Sequence, residues 1–144
     1  MTTEELKQRT KSFAVRVTRL VDALPNTVKG RAIANQIMRS ATSIGANYRA
    51  ACRARSRAEF IAKIGVVEEE ADESGFWLEM LRDILELRSA IDERRTAASG
   101  SRREIRHSKL DLRTSTELAR LLDESDQLVA ITVSSRKTAK GNNG

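Results

Sequence analysis

The stretch that decides the fold runs from residue 60 to residue 85 and reads FIAKIGVVEEEADESGFWLEMLRDIL. Small or apolar residues recur in it at alternating steps of four and three, at Phe60, Ile64, Val67, Ala71, Ser74, Leu78, Leu81 and Leu85. This spacing is an unbroken a/d heptad seam, which a helix must bury against other helices. The stretch therefore predicts a long helix that belongs to a helical bundle.

The segment before this stretch keeps the same rhythm. Its small or apolar positions are Ile33, Ile37, Ser40, Ile44, Asn47 and Ala51. Only a short arginine-rich bend at 53–55 separates the two seams, which predicts an antiparallel helical hairpin. Gly30 and Gly45 lie inside the earlier helix, and we interpret them as positions where a neighbouring helix approaches closely.

Start and stop signals divide the rest of the chain. Pro25 ends a first helix, Ser56 and Glu59 form a capping box before the third, and Thr114 and Glu117 form another before the fourth. We expect helices at about 3–23, 28–53, 57–90 and 116–139, with a frayed tail at 141–144. The prediction is a single all-α domain over residues 1–140, an antiparallel up-down four-helix bundle.

The amino-acid composition agrees with long helices and indicates the cellular location of the protein. The chain has 144 residues, one proline and seven glycines, which favours helices over a sheet with many turns. No run approaches the length of a membrane span, so we expect no membrane partner. Cys52 is the single cysteine, which excludes an intramolecular disulfide and suits a reducing, cytoplasmic location.

Positive charge is concentrated near the third connection. Lysine and arginine exceed the acidic residues by 26 to 20, and the segment from Arg94 to Arg113 has seven of them against Glu104 and Asp111. The hydrophobic pattern lapses here, so we expect a long, irregular basic connection over 92–114. Such a segment either binds nucleic acid or is a solvated loop. Its candidate binding residues are Arg102, Arg103 and Arg106.

The densest basic cluster is Arg49, Arg53, Arg55 and Arg57, at the bend between the second and third helices. Guanidinium groups suit phosphate recognition, so these side chains are candidate nucleic-acid contacts. The alternative is internal pairing with the acidic run 68–73. Since no aromatic residues are interleaved with the arginines, any nucleic-acid contact should be made mostly to the backbone.

The sequence offers no convincing catalytic constellation. His107 is the only histidine, so no zinc cluster or histidine triad can be built around a second imidazole. There is no glycine-rich phosphate loop. Cys52 is either a thiol activated by neighbouring arginines or, the reading we prefer, a small buried residue. We expect a protein that is not an enzyme and needs neither metal nor cofactor.

Phe76 and Trp77 sit beside the seam of the third helix. They either pack inside the monomer or form an apolar patch used for self-association. Both are therefore candidate residues of an oligomer interface.

Two runs carry a family resemblance, QIMRSATSIGAN at 36–47 and RSRAEF at 55–60, with a similar fourth helix at 124–139. The chain resembles the bacterial four-helix bundle proteins associated with 23S rRNA intervening sequences. The resemblance implies an up-down bundle that assembles as a ring, often a homopentamer. Related accessory proteins of diversity-generating retroelements bind nucleic acid and a reverse transcriptase. The chain departs from the family pattern at 94–113, where a shorter connection would be expected, and after Asn47.

Together these observations predict a self-associating helical scaffold that binds RNA or DNA through backbone phosphates. The alternative is a protein–protein adaptor whose arginines are structural.

Overall fold

The computed structural model describes residues 1–99 and 105–141, and for residues 105–111 it describes the backbone only. Four helices account for most of these residues, and the predicted all-α four-helix bundle is confirmed. They are α1 (Thr3–Asp22), α2 (Val28–Ala51), α3 (Arg57–Ser99) and α4 (Ile105–Gly141). None of the described helices is long and apolar enough to cross a membrane.

The helices pack in chain order around the bundle, α2 against α3, α3 against α4 and α1 against α2. The contact between α1 and α4 is the least extensive of the four. Among the side chains that the structure describes, two ion pairs cross it, Arg9 with Glu124 and Arg16 with Glu117. Residue numbers rise along α1 as they fall along α4, so these helices are antiparallel. Hydrogen bonds to these carboxylates raise the pKa of both guanidinium groups.

The core consists of the predicted seams. On α3, Ile64, Val67 and Leu78 have no exposed surface, and Ala71 and Ser74 are also fully buried. The other helices contribute their own buried apolar residues, namely Leu6, Phe13, Val17, Leu20, Ile33, Ile37, Ile44, Leu118, Leu121 and Leu128. The hydroxyl groups of Ser40 and Ser74 lie 3.0 Å apart inside this core. Small residues at these positions let α2 and α3 approach closely.

The helix caps fix where the chain turns. At the start of α3, the Glu59 amide donates to the Ser56 hydroxyl at 3.0 Å, as predicted. The Glu59 carboxylate, however, accepts from the Arg55 amide at 2.8 Å, one residue before the cap. At the start of α1, Thr2 and Glu5 form a complete capping box. A hydrogen bond from the Thr2 amide lowers the pKa of Glu5.

The region predicted as an irregular connection needs correction. Residues 92–99 continue α3 and residues 105–114 belong to α4, while 100–104 lie outside the described residues. The lapse in hydrophobic spacing marks the end of burial, not the end of the helix, because residues 86–99 are exposed apart from the half-buried Thr96. Alanine, arginine, glutamate and leucine in this segment are strong helix formers. The predicted capping box at 114–117 therefore lies inside α4, where the Thr116 hydroxyl donates to the Leu112 carbonyl.

The longer helices α3 and α4 extend past the loop between α1 and α2. Pro25 in that loop lines a cleft of about 510 Å³ together with Asp92 and Thr114, so the loop lies level with these residues. Residues 93–99 and 105–113 continue beyond it, and we call this pair of helix ends the arm.

Candidate nucleic-acid interface

The four predicted arginines lie at one end of the bundle. Here α1 begins, α2 ends, α3 begins and α4 ends, and we call this the arginine end. Arg49 is in the last turn of α2, Arg53 and Arg55 are on the connecting turn, and Arg57 opens α3. All four residues are exposed. The short turn thus holds them on one surface, as the spacing predicts.

The acidic run 68–73 has partners other than these arginines. Glu68 accepts a hydrogen bond from Arg136 of α4 at 2.8 Å. Burial raises the pKa of Glu70 and the nearby Glu73 raises it further, whereas Arg39 opposes the shift. Within residues 1–99 and 105–141, no ion pair joins the side chain of Arg49, Arg53 or Arg55 to an acidic residue. These three guanidinium groups face solvent, and internal pairing with the acidic run does not explain them.

Arg57 has a different environment from the other three. Its Nε donates a hydrogen bond to the backbone carbonyl of Ala139, near the end of α4. Carbonyl groups in the last turn of a helix lack partners within the helix, so a guanidinium group is a favourable neighbour there. Arg57 therefore also holds the start of α3 to the end of α4.

Charges around the arginine end favour anions. Lys137 and Lys140 add positive charge in the exposed last turns of α4. The acidic side chains of Glu5 and Glu59 are engaged in the two helix caps. Glu4 lies 3.4 Å from the ammonium group of Lys7. Basic side chains therefore outnumber acidic ones at the arginine end, and the resulting field favours anions such as phosphate groups.

A cleft of about 790 Å³ opens beside the arginines, between the starts of α1 and α3 and the ends of α2 and α4. Arg55 and Arg57 line it together with apolar and hydroxyl-bearing residues. These include Thr2, Thr3, Leu6, Ser56, Phe60, Ile131 and Ser135. Sequence reasoning missed this cleft because its walls come from four segments that are far apart in the chain.

Tyr48 and Cys52 also line the cleft. Tyr48 is buried, and burial together with the adjacent Cys52 raises the pKa of its hydroxyl group to about 12. The phenol is therefore neutral near pH 7. Cys52 is half-buried, whereas the interpretation that we preferred from the sequence was a small buried residue.

The other predicted basic residues fall outside what the structure describes in detail. Arg102 and Arg103 lie outside the described residues. Arg106 and His107 lie in the first turn of α4, but their side chains are not among those described. In the part of the chain that is described, no three cysteine, histidine, aspartate or glutamate side chains are arranged to hold a metal ion.

Phe76 lies on the outer side of α3, whereas Trp77 also packs against the hydrophobic core. Phe76 is 52% exposed and Trp77 is half-buried, and their rings meet edge to face at 5.0 Å and 71°. The indole N–H donates to Glu73 at 3.1 Å. The aromatic pair is therefore partly anchored to its own helix and partly available to a partner.

The structure adds further apolar residues to this surface. Trp77, Met80, Ile84, Leu87 and Ile91 follow one another at steps of three and four, and we call them the outer seam. Met80, Leu87 and Ile91 are 38%, 64% and 42% exposed. The spacing was readable in the sequence, but the stronger seam one residue further along at Leu78, Leu81 and Leu85 concealed it.

The fold and the arginine end define a helical bundle with a basic surface at one end. The sequence pattern of the family described as 23S rRNA-intervening sequence protein matches residues 3–95. The structure is similar to a crystal structure of a protein with unknown function from the S23 ribosomal protein family of Bacteroides thetaiotaomicron. The TM-score is 0.62 at 30% sequence identity, and the match covers 91% of this chain and 97% of that one. No curated protein matches the sequence. The chain belongs to the 23S rRNA-intervening sequence protein family, which confirms the predicted resemblance.

Proposed function

We propose that this protein is a non-enzymatic helical scaffold that binds RNA or DNA through backbone phosphates at the arginine end. The observation that carries the proposal is the solvent-facing set Arg49, Arg53 and Arg55, whose side chains form no ion pair within the described residues. Arginine forms bidentate hydrogen bonds with phosphate, and its charge does not depend on pH in the physiological range. Backbone contacts position a nucleic acid without reading its sequence.

The proposed binding has a clear salt dependence, because each neutralised phosphate releases condensed counterions. We expect affinity for structured RNA and duplex DNA to fall steeply between about 50 mM and 200 mM salt. Replacing Arg49, Arg53 and Arg55 by glutamine should weaken binding to all sequences and reduce the salt slope by about one for each lost contact. Fluorescence anisotropy titrations at several salt concentrations measure both quantities.

The matched control replaces Lys11, Arg19 and Lys29, which are also exposed, by glutamine. This variant loses the same charge away from the arginine end and should retain most of the affinity. Absence of wild-type binding at about 50 mM salt contradicts the proposal. Equal losses in the two variants would show that net charge, not the arginine end, binds the nucleic acid. Absence of wild-type binding would make the protein–protein adaptor the better hypothesis, with a partner such as a reverse transcriptase.

We also propose that the protein forms a homo-oligomer, a homopentamer by family resemblance, through Phe76 and the outer seam. Light scattering coupled to size-exclusion chromatography should give a mass several times 16.0 kDa. Phe76→Ser combined with Leu87→Lys should release monomers, because both side chains are more than half exposed and a charge opposes burial in an interface.

Val28→Glu is the control for this experiment, since Val28 is 77% exposed at the start of α2. It should leave the mass unchanged. A wild-type monomer at micromolar concentration, or an unchanged mass for the double variant, would exclude this interface.

A further inference from the structure

Two clefts adjoin at the arginine end, with volumes of about 790 Å³ and 550 Å³. Arg57, Phe60 and Ser135 line both of them. Phe60 is half-buried and packs its inner side against the core, so its remaining surface faces the clefts. An aromatic side chain thus stands within a basic, hydroxyl-lined groove. The sequence did not predict this arrangement, because Phe60 reads there as a seam residue.

The larger cleft combines the chemical groups that a nucleotide requires. Its volume lies within the range of about 300–1,000 Å³ that is usual for small-ligand sites. Leu6, Phe60 and Ile131 provide apolar surface, and Arg55 provides a cation on its wall. The base of a nucleotide has apolar faces that stack on aromatic rings, and the phosphate group of the nucleotide is an anion. Ser56 and Ser135 supply hydroxyl groups that can hydrogen-bond to the polar edge of a base or to a sugar.

We propose that the larger cleft receives one unstacked nucleotide of a single strand, with its base against Phe60 and its phosphate beside Arg55. This inference rests on the proposed function and adds a preference for single strands to it. A base in a duplex is stacked and paired, so it cannot enter the cleft without the cost of leaving the helix. Flexible single strands present unstacked bases at little cost.

The arginines then have two separable roles. Arg55 lines the cleft, whereas Arg49 and Arg53 lie outside it. Loss of Arg53 should weaken binding to single strands and duplexes alike. Loss of Arg55 or of the Phe60 ring should weaken binding to single strands more than binding to duplexes.

The test is fluorescence anisotropy at fixed salt with three labelled probes of equal length, a single-stranded RNA, its blunt duplex and a fully abasic strand. Wild-type protein should bind the single strand about five-fold or more tightly than the abasic strand, because the abasic strand has phosphates but no base to stack. The duplex should bind like the abasic strand. A single-stranded DNA of the same sequence shows whether the cleft distinguishes the sugar.

Phe60→Leu should remove the preference for the single strand while retaining an apolar side chain in the core. Arg53→Gln is its matched control, and it should lower affinity for all probes without changing the preference. Circular dichroism melting curves verify that each variant is folded. If Phe60→Leu does not fold, the wild-type measurement with the abasic strand still decides the question.

Cys52 gives an independent readout because it lines the same cleft and is half-buried. The single-stranded RNA should slow its alkylation by iodoacetamide, and the duplex at equal occupancy should not. Equal binding of single and abasic strands, or equal protection of Cys52 by both ligands, overturns the cleft proposal while the backbone interface stands. Loss of binding to every probe instead overturns the proposed function itself.

Discussion

The single substitutions Ile64→Ala and Leu78→Ala should each lower the free energy of unfolding by about 2–5 kcal/mol. Both side chains are fully buried on α3, which packs against α2 and α4. The loss combines the transfer free energy of the removed methyl and methylene groups with the cavity that they leave. Urea denaturation at one protein concentration measures the effect, since an oligomer would make stability depend on concentration.

Val66 provides the control on the same helix. It is 37% exposed, so Val66→Ala removes apolar surface without opening a closed cavity. This variant should unfold close to the wild type. If Ile64→Ala and Val66→Ala unfolded at the same urea concentration, the assignment of the buried face of α3 would be wrong.

Two glycines that look alike in the sequence should respond to alanine with opposite signs. At Gly30, an added Cβ atom would lie 2.1 Å from the backbone carbonyl oxygen of Pro25. That contact is impossible without movement of the loop between α1 and α2. Gly30→Ala should therefore lose about 1–3 kcal/mol in the free energy of unfolding, as other overpacked sites do.

Gly65 lies inside α3, and an added Cβ atom there would meet nothing within 4 Å. Alanine has a higher helix propensity than glycine by about 1 kcal/mol, so Gly65→Ala should stabilise the protein by up to that amount. Thermal melting of both variants under identical conditions shows whether each substitution stabilises or destabilises the protein. A stabilised Gly30→Ala variant would show that the loop carbonyl does not pack on α2 as described.

The sequence predicted the bundle because heptad spacing reports burial directly. Every predicted seam position from Ile64 to Leu81 is buried, and the two end positions, Phe60 and Leu85, are half-buried. Because heptad spacing reports burial, it did not predict that the exposed residues of the arm are helical. Residues 93–99 of α3 are exposed apart from Thr96, so they have no buried apolar face to repeat, although their helix propensity keeps the segment helical.

The sequence did not show which distant segments of the chain lie next to the glycines and the cleft. Gly45 faces the backbone of Thr10 and Lys11 on α1, as close helix approach predicts, whereas Gly30 faces a loop. The arginines of the site are neighbours in sequence, so their clustering was readable. Thr2 and Ser135 reach the same cleft from opposite ends of the chain. Only the packing of the four helices brings such residues together.

The unequal helix lengths make the molecule a rod with two separate ends. At 1.5 Å per residue, the 43 residues of α3 extend over about 65 Å. Arg57 at its start and Arg95 in the arm are therefore about 57 Å apart along the axis. The Debye length at physiological salt is about 8 Å, so the charges at one end exert almost no force on a ligand at the other. The nucleic-acid binding that we propose at the arginine end would therefore leave the arm electrostatically independent.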